Sequence, residues 1–216
     1  MKKIKKEYYF IAVLLILFIL LTLFVALGKV DLIDEAAFKS IIKLKGNVIT
    51  NVLYVITTLA STAGVFALLF ITSVIFLKHK AFSDFKYVIV NVSIGVVLMQ
   101  IIKNIIRRVR PSWKWIVQGG FSYPSGHTIS ALLLYGTLML LVYKKVHGRI
   151  RKPLLIGFSL MIILTGFSRI YFGAHFLSDV LASMLLGTII LIISNIFMNK
   201  EFNNDKNKDR KTIQTK

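Results

Sequence analysis

His175 and Asp179 stand four residues apart at the start of an apolar run, a spacing that stacks two side chains on one helical face. An aspartate that accepts from one imidazole nitrogen fixes the tautomer and leaves the other nitrogen free to attack. An unpaired carboxylate at the edge of a membrane span is costly, so Asp179 needs a partner, and His175 is the nearest candidate in sequence. Ser168-Arg169 lies just upstream. A second stretch, Pro124-Ser125-Gly126-His127, directly precedes another apolar run. Ser125 is placed to cap that helix, and Gly126 lets a ligand approach the backbone closely. The free N–H groups and positive pole of a helix start bind anions, with His127 at the rim. In a third stretch Lys103 and Arg110 stand seven apart, and on a continuing helix they would share a face. Pro111 disfavours helix at Arg110 and sets the expected helix end just before it. Taken together, these are the parts of a site that holds an anion and attacks it. Taken singly, each also fits a structural role: a snorkelling basic cluster, a capped helix start, a hydrogen-bonded pair closing a helix.

The elements that must position these groups are read from hydropathy. Of the 216 residues, 56% are hydrophobic, yet the net charge is +19. A soluble core does not need so many apolar residues, and a nucleic-acid binder does not intersperse its charge among them. Six runs approach the ~20 apolar residues that a spanning helix requires: residues 9–27, 52–77, 87–106, 128–143, 153–167 and 176–198. The fourth and fifth are short and need extension by the polar motifs at their ends. The fold expected is therefore an all-α membrane protein, a bundle of six transmembrane helices with the active site at one membrane face. The first run has no small-residue cleavage site and five further runs follow it, so it reads as a retained helix and not a signal peptide.

Most of the lysines and arginines precede the first run, separate runs two and three, separate runs four and five, or follow the sixth. The positive-inside rule makes that side cytoplasmic, with both termini there. The three reactive stretches fall on the opposite side, at the ends of runs three to six. Residues 1–199 form the expected spanning domain, and 200–216 a polar tail of the composition that stays disordered. No internal repeat supports an inverted-repeat transporter. The absence of cysteine excludes disulfides, thiolate metal sites and a cysteine nucleophile. Trp113, Trp115, Phe121 and Tyr123 are expected to anchor at interface level, as aromatic side chains do.

Lys103 with six residues to Arg110-Pro111, then Pro124-Ser125-Gly126-His127, then Ser168-Arg169 with five residues to His175 and three to Asp179, resembles the three signature motifs of the type 2 phosphatidic acid phosphatase superfamily. The resemblance implies roles. His175 is the nucleophile that forms a phosphohistidine, Asp179 orients it, and His127 protonates the leaving oxygen. Lys103, Arg110, Arg169, Ser125 and the Gly126 amide hold the phosphoryl oxygens. It also implies a lipid phosphate or pyrophosphate as substrate, with undecaprenyl pyrophosphate and phosphatidylglycerophosphate as the candidates among bacterial relatives of this size. An outward-facing site favours the first.

Charge accumulates on the equatorial oxygens of a transferring phosphoryl group and must be met by pre-placed positive charge. Three fixed cations and a helix N-terminus can supply it without a metal or any other cofactor, whereas a two-metal site needs several carboxylates. Two other readings stay open at this level. One is metal-assisted hydrolysis at His127, His175 and Asp179. The other is a non-enzymatic protein that binds or transports anionic lipid. The expected partners are the bilayer and a lipid phosphate, with no nucleic acid; oligomeric state has no signal in the sequence.

Overall fold

A computed structural model describes the backbone of residues 2–214 and the side chains of residues 6–198. Among the described residues eight helices follow in order: α1 (Lys2–Ala26), α2 (Asp31–Ile42), α3 (Asn47–Leu59), α4 (Thr62–Lys78), α5 (Phe82–Ile106), α6 (Gly126–Lys145), α7 (Arg151–Tyr171) and α8 (Leu177–Gln214). No strand occurs among the described residues. The side chains of the expected tail at 200–216 lie outside those described.

Among the described residues five helices are long and apolar enough to cross a membrane: α1, α5, α6, α7 and α8. The short apolar runs four and five are indeed lengthened by their flanking polar residues, to 20 residues in α6 and 21 in α7. The second run is not one continuous helix, contrary to expectation. It is α3 and α4, bent by 60° at Ala60-Ser61. The cause is local: Ser61 donates back to the Thr58 carbonyl at 2.6 Å and accepts from the Gly64 amide at 3.1 Å, so its hydroxyl caps α4. Helix α2 also had no precedent in the hydropathy pattern. Its first turn carries Asp31 and Asp34, where a helix N-terminus favours negative charge.

The core lies between α4, α5, α6 and α8, where Val65, Val88, Val92, Ile129, Leu133 and Ile190 are buried together. Gly95 of α5 permits the close approach of α6, because a Cβ there would overlap Leu133. Outward faces are apolar too. Only 11% of the apolar window of α1 is buried, as a helix against lipid tails requires. The C-terminal ends of α5 and α7, the N-terminal ends of α6 and α8, the 107–125 loop and α2 all meet at one end of the bundle.

Candidate active site

Helix α7 ends at Tyr171, and Gly173 turns the chain with φ +63, a conformation that side chains with a Cβ rarely adopt. The turn folds back on its own helix, so the Ala174 and His175 amides both donate to the Arg169 carbonyl, at 3.0 and 3.2 Å. His175 therefore precedes α8, not within it as the four-residue spacing had suggested, and pairs with Asp179 across the helix start. Asp179 Oδ2 lies 3.3 Å from His175 Nδ1 and also accepts from the Phe176 amide at 3.0 Å. The second bond closes the first turn of α8 in the manner of a capping box. Both side chains are buried. Their pairing gives the Nδ1–H tautomer, with Nε2 as the free nitrogen.

Arg110 meets that nitrogen: its Nη1 lies 3.0 Å from His175 Nε2 and donates to the Ala174 carbonyl at 2.7 Å. Its Nε donates to the carbonyls of Gly119 and Gly120, at 3.0 Å each. Lys103 Nζ donates to the Phe121 carbonyl at 2.7 Å. Lys103 and Arg110 would share a face only on a continuing helix, and the helix does not continue that far. Helix α5 stops at Ile106, where Arg107 adopts a left-handed conformation (φ +50). The two cations converge because the loop turns back, tied by the Ser122 amide to the Arg108 carbonyl at 2.8 Å.

Arg169 is buried, held by Nη1 to Thr57 at 2.6 Å and by Nη2 to Gln118 at 2.8 Å. Its Nε is buried with no hydrogen-bond partner among the described residues. Ser125 occupies the N-cap position of α6, but its hydroxyl makes no cap bond; it accepts from the Thr128 hydroxyl at 2.9 Å. Its backbone ties α6 to α8 instead, through the Ser183 hydroxyl at 3.0 Å.

Lys103, Arg110, Gln118, Gly126, His127 and His175 line one cavity of about 400 Å³. From these polar groups the cavity runs between α4 and α5 past Val65, Phe66, Leu69, Val92, Val96 and Met99. Ser125 and Arg169 are not among the residues that line it. Burial, with the positive charges of Arg169, Arg110 and Lys103, holds the His175 imidazole well below its ordinary range. Burial also lowers Arg110, with Asp179 opposing it.

Two corrections concern residues outside the motifs. Asp179 is not the only carboxylate at the site. In the fold, Asp34 of α2 is buried beside it, bonded to the Ser178 amide at 2.8 Å and hydroxyl at 2.6 Å. Arg108 links the two carboxylates, with Nη1 at 2.9 Å from Asp179 and Nη2 at 2.8 Å from Asp34. Burial works against its charge, but Asp179 and Asp34 outweigh that and raise it above the ordinary arginine value. The aromatic residues do more than anchor. Tyr123 is fully buried with its hydroxyl 2.7 Å from Thr22, and burial pushes that phenol up to about 12. Trp113 stacks on Phe38 of α2 at 5.2 Å, and Trp115 Nε1 donates to the Tyr171 carbonyl at 2.9 Å. They pin the loop that carries Arg110. Thr57, Gln118, Asp34 and Arg108 were missed by sequence reasoning. Only Arg108, two residues before Arg110, and Thr57, a polar residue within an apolar run, had any signal to offer.

Known proteins resemble this chain in sequence and in fold. The PAP2 superfamily profile matches residues 84–203. A curated relative, phosphatidylglycerophosphatase B of Bacillus subtilis, is 26% identical over 190 residues, covering 87% of this chain and 94% of its own. A crystal structure of a transmembrane PAP2-type phosphatidylglycerolphosphate phosphatase from Bacillus subtilis superposes with a TM-score of 0.81 at 25% identity, over 88% of this chain and 96% of that one. The fold also matches that of Aquifex aeolicus LpxE, with a TM-score of 0.58 at 23% identity over 78% and 95% of the two chains. With more than half its length matched to the superfamily and its spans arranged as in these structures, the chain belongs to the PAP2 superfamily and is a multi-pass membrane phosphatase.

Proposed function

We propose that this protein hydrolyses a lipid phosphate or pyrophosphate at the extracytoplasmic face of the membrane, through a phosphohistidine on His175 and without a metal. The observation that carries the reading is the continuity of one cavity. It holds His175, His127, Lys103 and Arg110 at its polar end and an apolar groove between α4 and α5 at the other. A phosphorylated head group suits the first part and a hydrocarbon chain suits the second.

In this reading His175 Nε2 attacks phosphorus in line with the bond to the lipid oxygen. The new N–P bond makes the ring cationic, and Asp179 at Nδ1 stabilises that charge. The P–O bond to the lipid breaks, and His127 gives its proton to the departing oxygen. Water then attacks the phosphohistidine, His127 takes the proton back, and inorganic phosphate leaves with His175 regenerated. Lys103, Arg110, Arg169 and the start of α6 at Gly126 meet the charge on the phosphoryl oxygens, with the unpartnered Nε of Arg169 as a donor available for one of them. Ser125 Oγ accepts from the Thr128 hydroxyl, which leaves its own O–H to donate to a phosphoryl oxygen. Among the described residues no three His, Cys, Asp or Glu side chains are grouped as a metal site.

The names of the relatives favour phosphatidylglycerophosphate as substrate; an outward-facing site favours undecaprenyl pyrophosphate. The test is phosphate release by purified protein from a panel of both lipids and lysophosphatidic acid, with and without EDTA. Release that survives EDTA and is abolished in His175→Ala supports the mechanism. Loss in EDTA with recovery on added zinc or magnesium would establish a metal enzyme instead, and equal release by wild type and His175→Ala would remove His175 as nucleophile.

A further inference from the structure

The carboxylate that orients His175 does not act alone. Arg108 stands between two buried carboxylates, with one guanidinium nitrogen on Asp179 Oδ1 and the other on Asp34 Oδ2. The ring of Phe176 covers its face at 3.8 Å. Asp34 comes from α2, well over a hundred residues away in sequence, and its other oxygen accepts from the amide of Ser178, the neighbour of Asp179. We propose that Asp34, acting through Arg108, is a positioning residue for the Asp179–His175 pair.

Two physical reasons support this, both resting on the assignment of His175 as nucleophile. The first is geometric. Arg108 takes Asp179 Oδ1, which leaves Oδ2 for His175 Nδ1 and the Phe176 amide. A guanidinium fork bonded on both sides has one orientation, so the carboxylate it holds has one too. The second is charge. Asp179 serves His175 by being negative while the ring becomes positive. Paired with Arg108 alone, the two would be neutral together. Asp34 returns the trio to net −1 beside the ring, in a buried place where that charge is weakly screened. Asp31 also reaches Arg108, at 3.3 Å, but its side chain is 69% exposed, so water weakens its pull.

The test uses the full-length protein in detergent with a short-chain lipid phosphate. Turnover is measured as kcat, and the inhibition constant for inorganic phosphate, the product, reads the anion pocket separately. Asp34→Asn should lower kcat by about 10- to 100-fold, the range seen when an orienting partner is removed, while phosphate inhibition stays within about threefold of wild type. Asp31→Asn, an equal change of formal charge on an exposed side chain, should leave kcat within about twofold. In a double-mutant cycle, Asp34→Asn should add little to Arg108→Gln, since both break one chain of contacts. Should Asp34→Asn fold poorly, Ser178→Ala removes the hydroxyl shared by Asp34 and Arg108 without removing a charge, and should lower kcat in the same direction by a smaller factor. The proposal is overturned if folded Asp34→Asn turns over like wild type, or if it loses phosphate binding as much as it loses kcat. It is also overturned by additive effects in the cycle. His175→Ala in the same assay separates the two layers. An active His175→Ala removes the nucleophile assignment, whereas a silent His175→Ala beside a fully active Asp34→Asn removes the positioning role alone.

Discussion

Arg110 and His175 touch: Nη1 of the arginine lies 3.0 Å from Nε2 of the imidazole, on the side of the ring away from Asp179. The nitrogen left free by the Asp179 contact thus faces a cation that would also face the phosphoryl oxygens. In the proposed mechanism an anion placed there is drawn by Arg110 toward the atom that attacks it. The arrangement comes from a loop and a turn, each pinned by aromatic side chains to helix ends.

Replacing that cation should slow turnover more than it weakens binding. Arg110→Gln is expected to lower kcat by about 10²–10³-fold, the loss found when one donor to a transition-state anion is removed. Arg110→Lys should recover only part of it, because an ammonium cannot bond the Gly119 and Gly120 carbonyls and a ligand from one planar fork. Steady-state phosphate release checks both, and a kcat within about threefold of wild type in Arg110→Gln contradicts the prediction.

The depressed His175 has a consequence for pH. The folded protein keeps this ring neutral below the ordinary imidazole value of about 6.5, whereas the unfolded chain takes up a proton there. Below pH ~6.5 the unfolded state binds more protons, so this residue makes stability fall as pH drops and contributes no slope above that value. Thermal unfolding in detergent from pH 7.5 to 5 should therefore show a smaller acid loss in His175→Gln than in wild type. Parallel curves would contradict the buried, neutral ring.

Thr57 reaches across from the broken span to Arg169 at 2.6 Å. Thr57→Val keeps the shape and deletes the acceptor, leaving a buried guanidinium N–H unpaired. The expected cost is about 1–3 kcal/mol of stability, seen as a lower unfolding temperature, with a raised KM as Arg169 loosens. Unchanged KM and unfolding temperature would show that α3 does not support the site.

Gly173 should resist any side chain. At φ +63 a Cβ is strained, and it would also come within 3.0 Å of Lys114 Cα and the Trp113 carbonyl. Gly173→Ala is predicted to cost about 1–2 kcal/mol and to lower kcat by displacing His175 two residues on. Full activity with wild-type stability would contradict this account of the turn.

Sidedness is testable directly because the chain has no cysteine of its own. A cysteine at Ser112, in the loop of the site, should react with an impermeant thiol reagent applied to intact cells. One at Arg149, between α6 and α7, should react only after the membrane is opened. The reverse pattern would put the site in the cytoplasm.

The amino-acid sequence by itself determined the class of fold, the approximate spans, and the residue types gathered for chemistry. Long apolar runs have few stable arrangements in a bilayer, and Lys103, Arg110, His127, Arg169, His175 and Asp179 stand at their ends in recognisable order. Tertiary structure decided how those residues meet. Lys103 and Arg110 converge through a reversed loop, not by helical periodicity, because Arg107 ends the helix early. Ser125 Oγ accepts from the Thr128 hydroxyl, and its carbonyl ties the start of α6 to Ser183 of α8. Asp34 and Thr57 reached the site from distant stretches that hydropathy read as a connector and a straight span. Their role depends on packing between elements far apart in the chain, and no local pattern of residues encodes that.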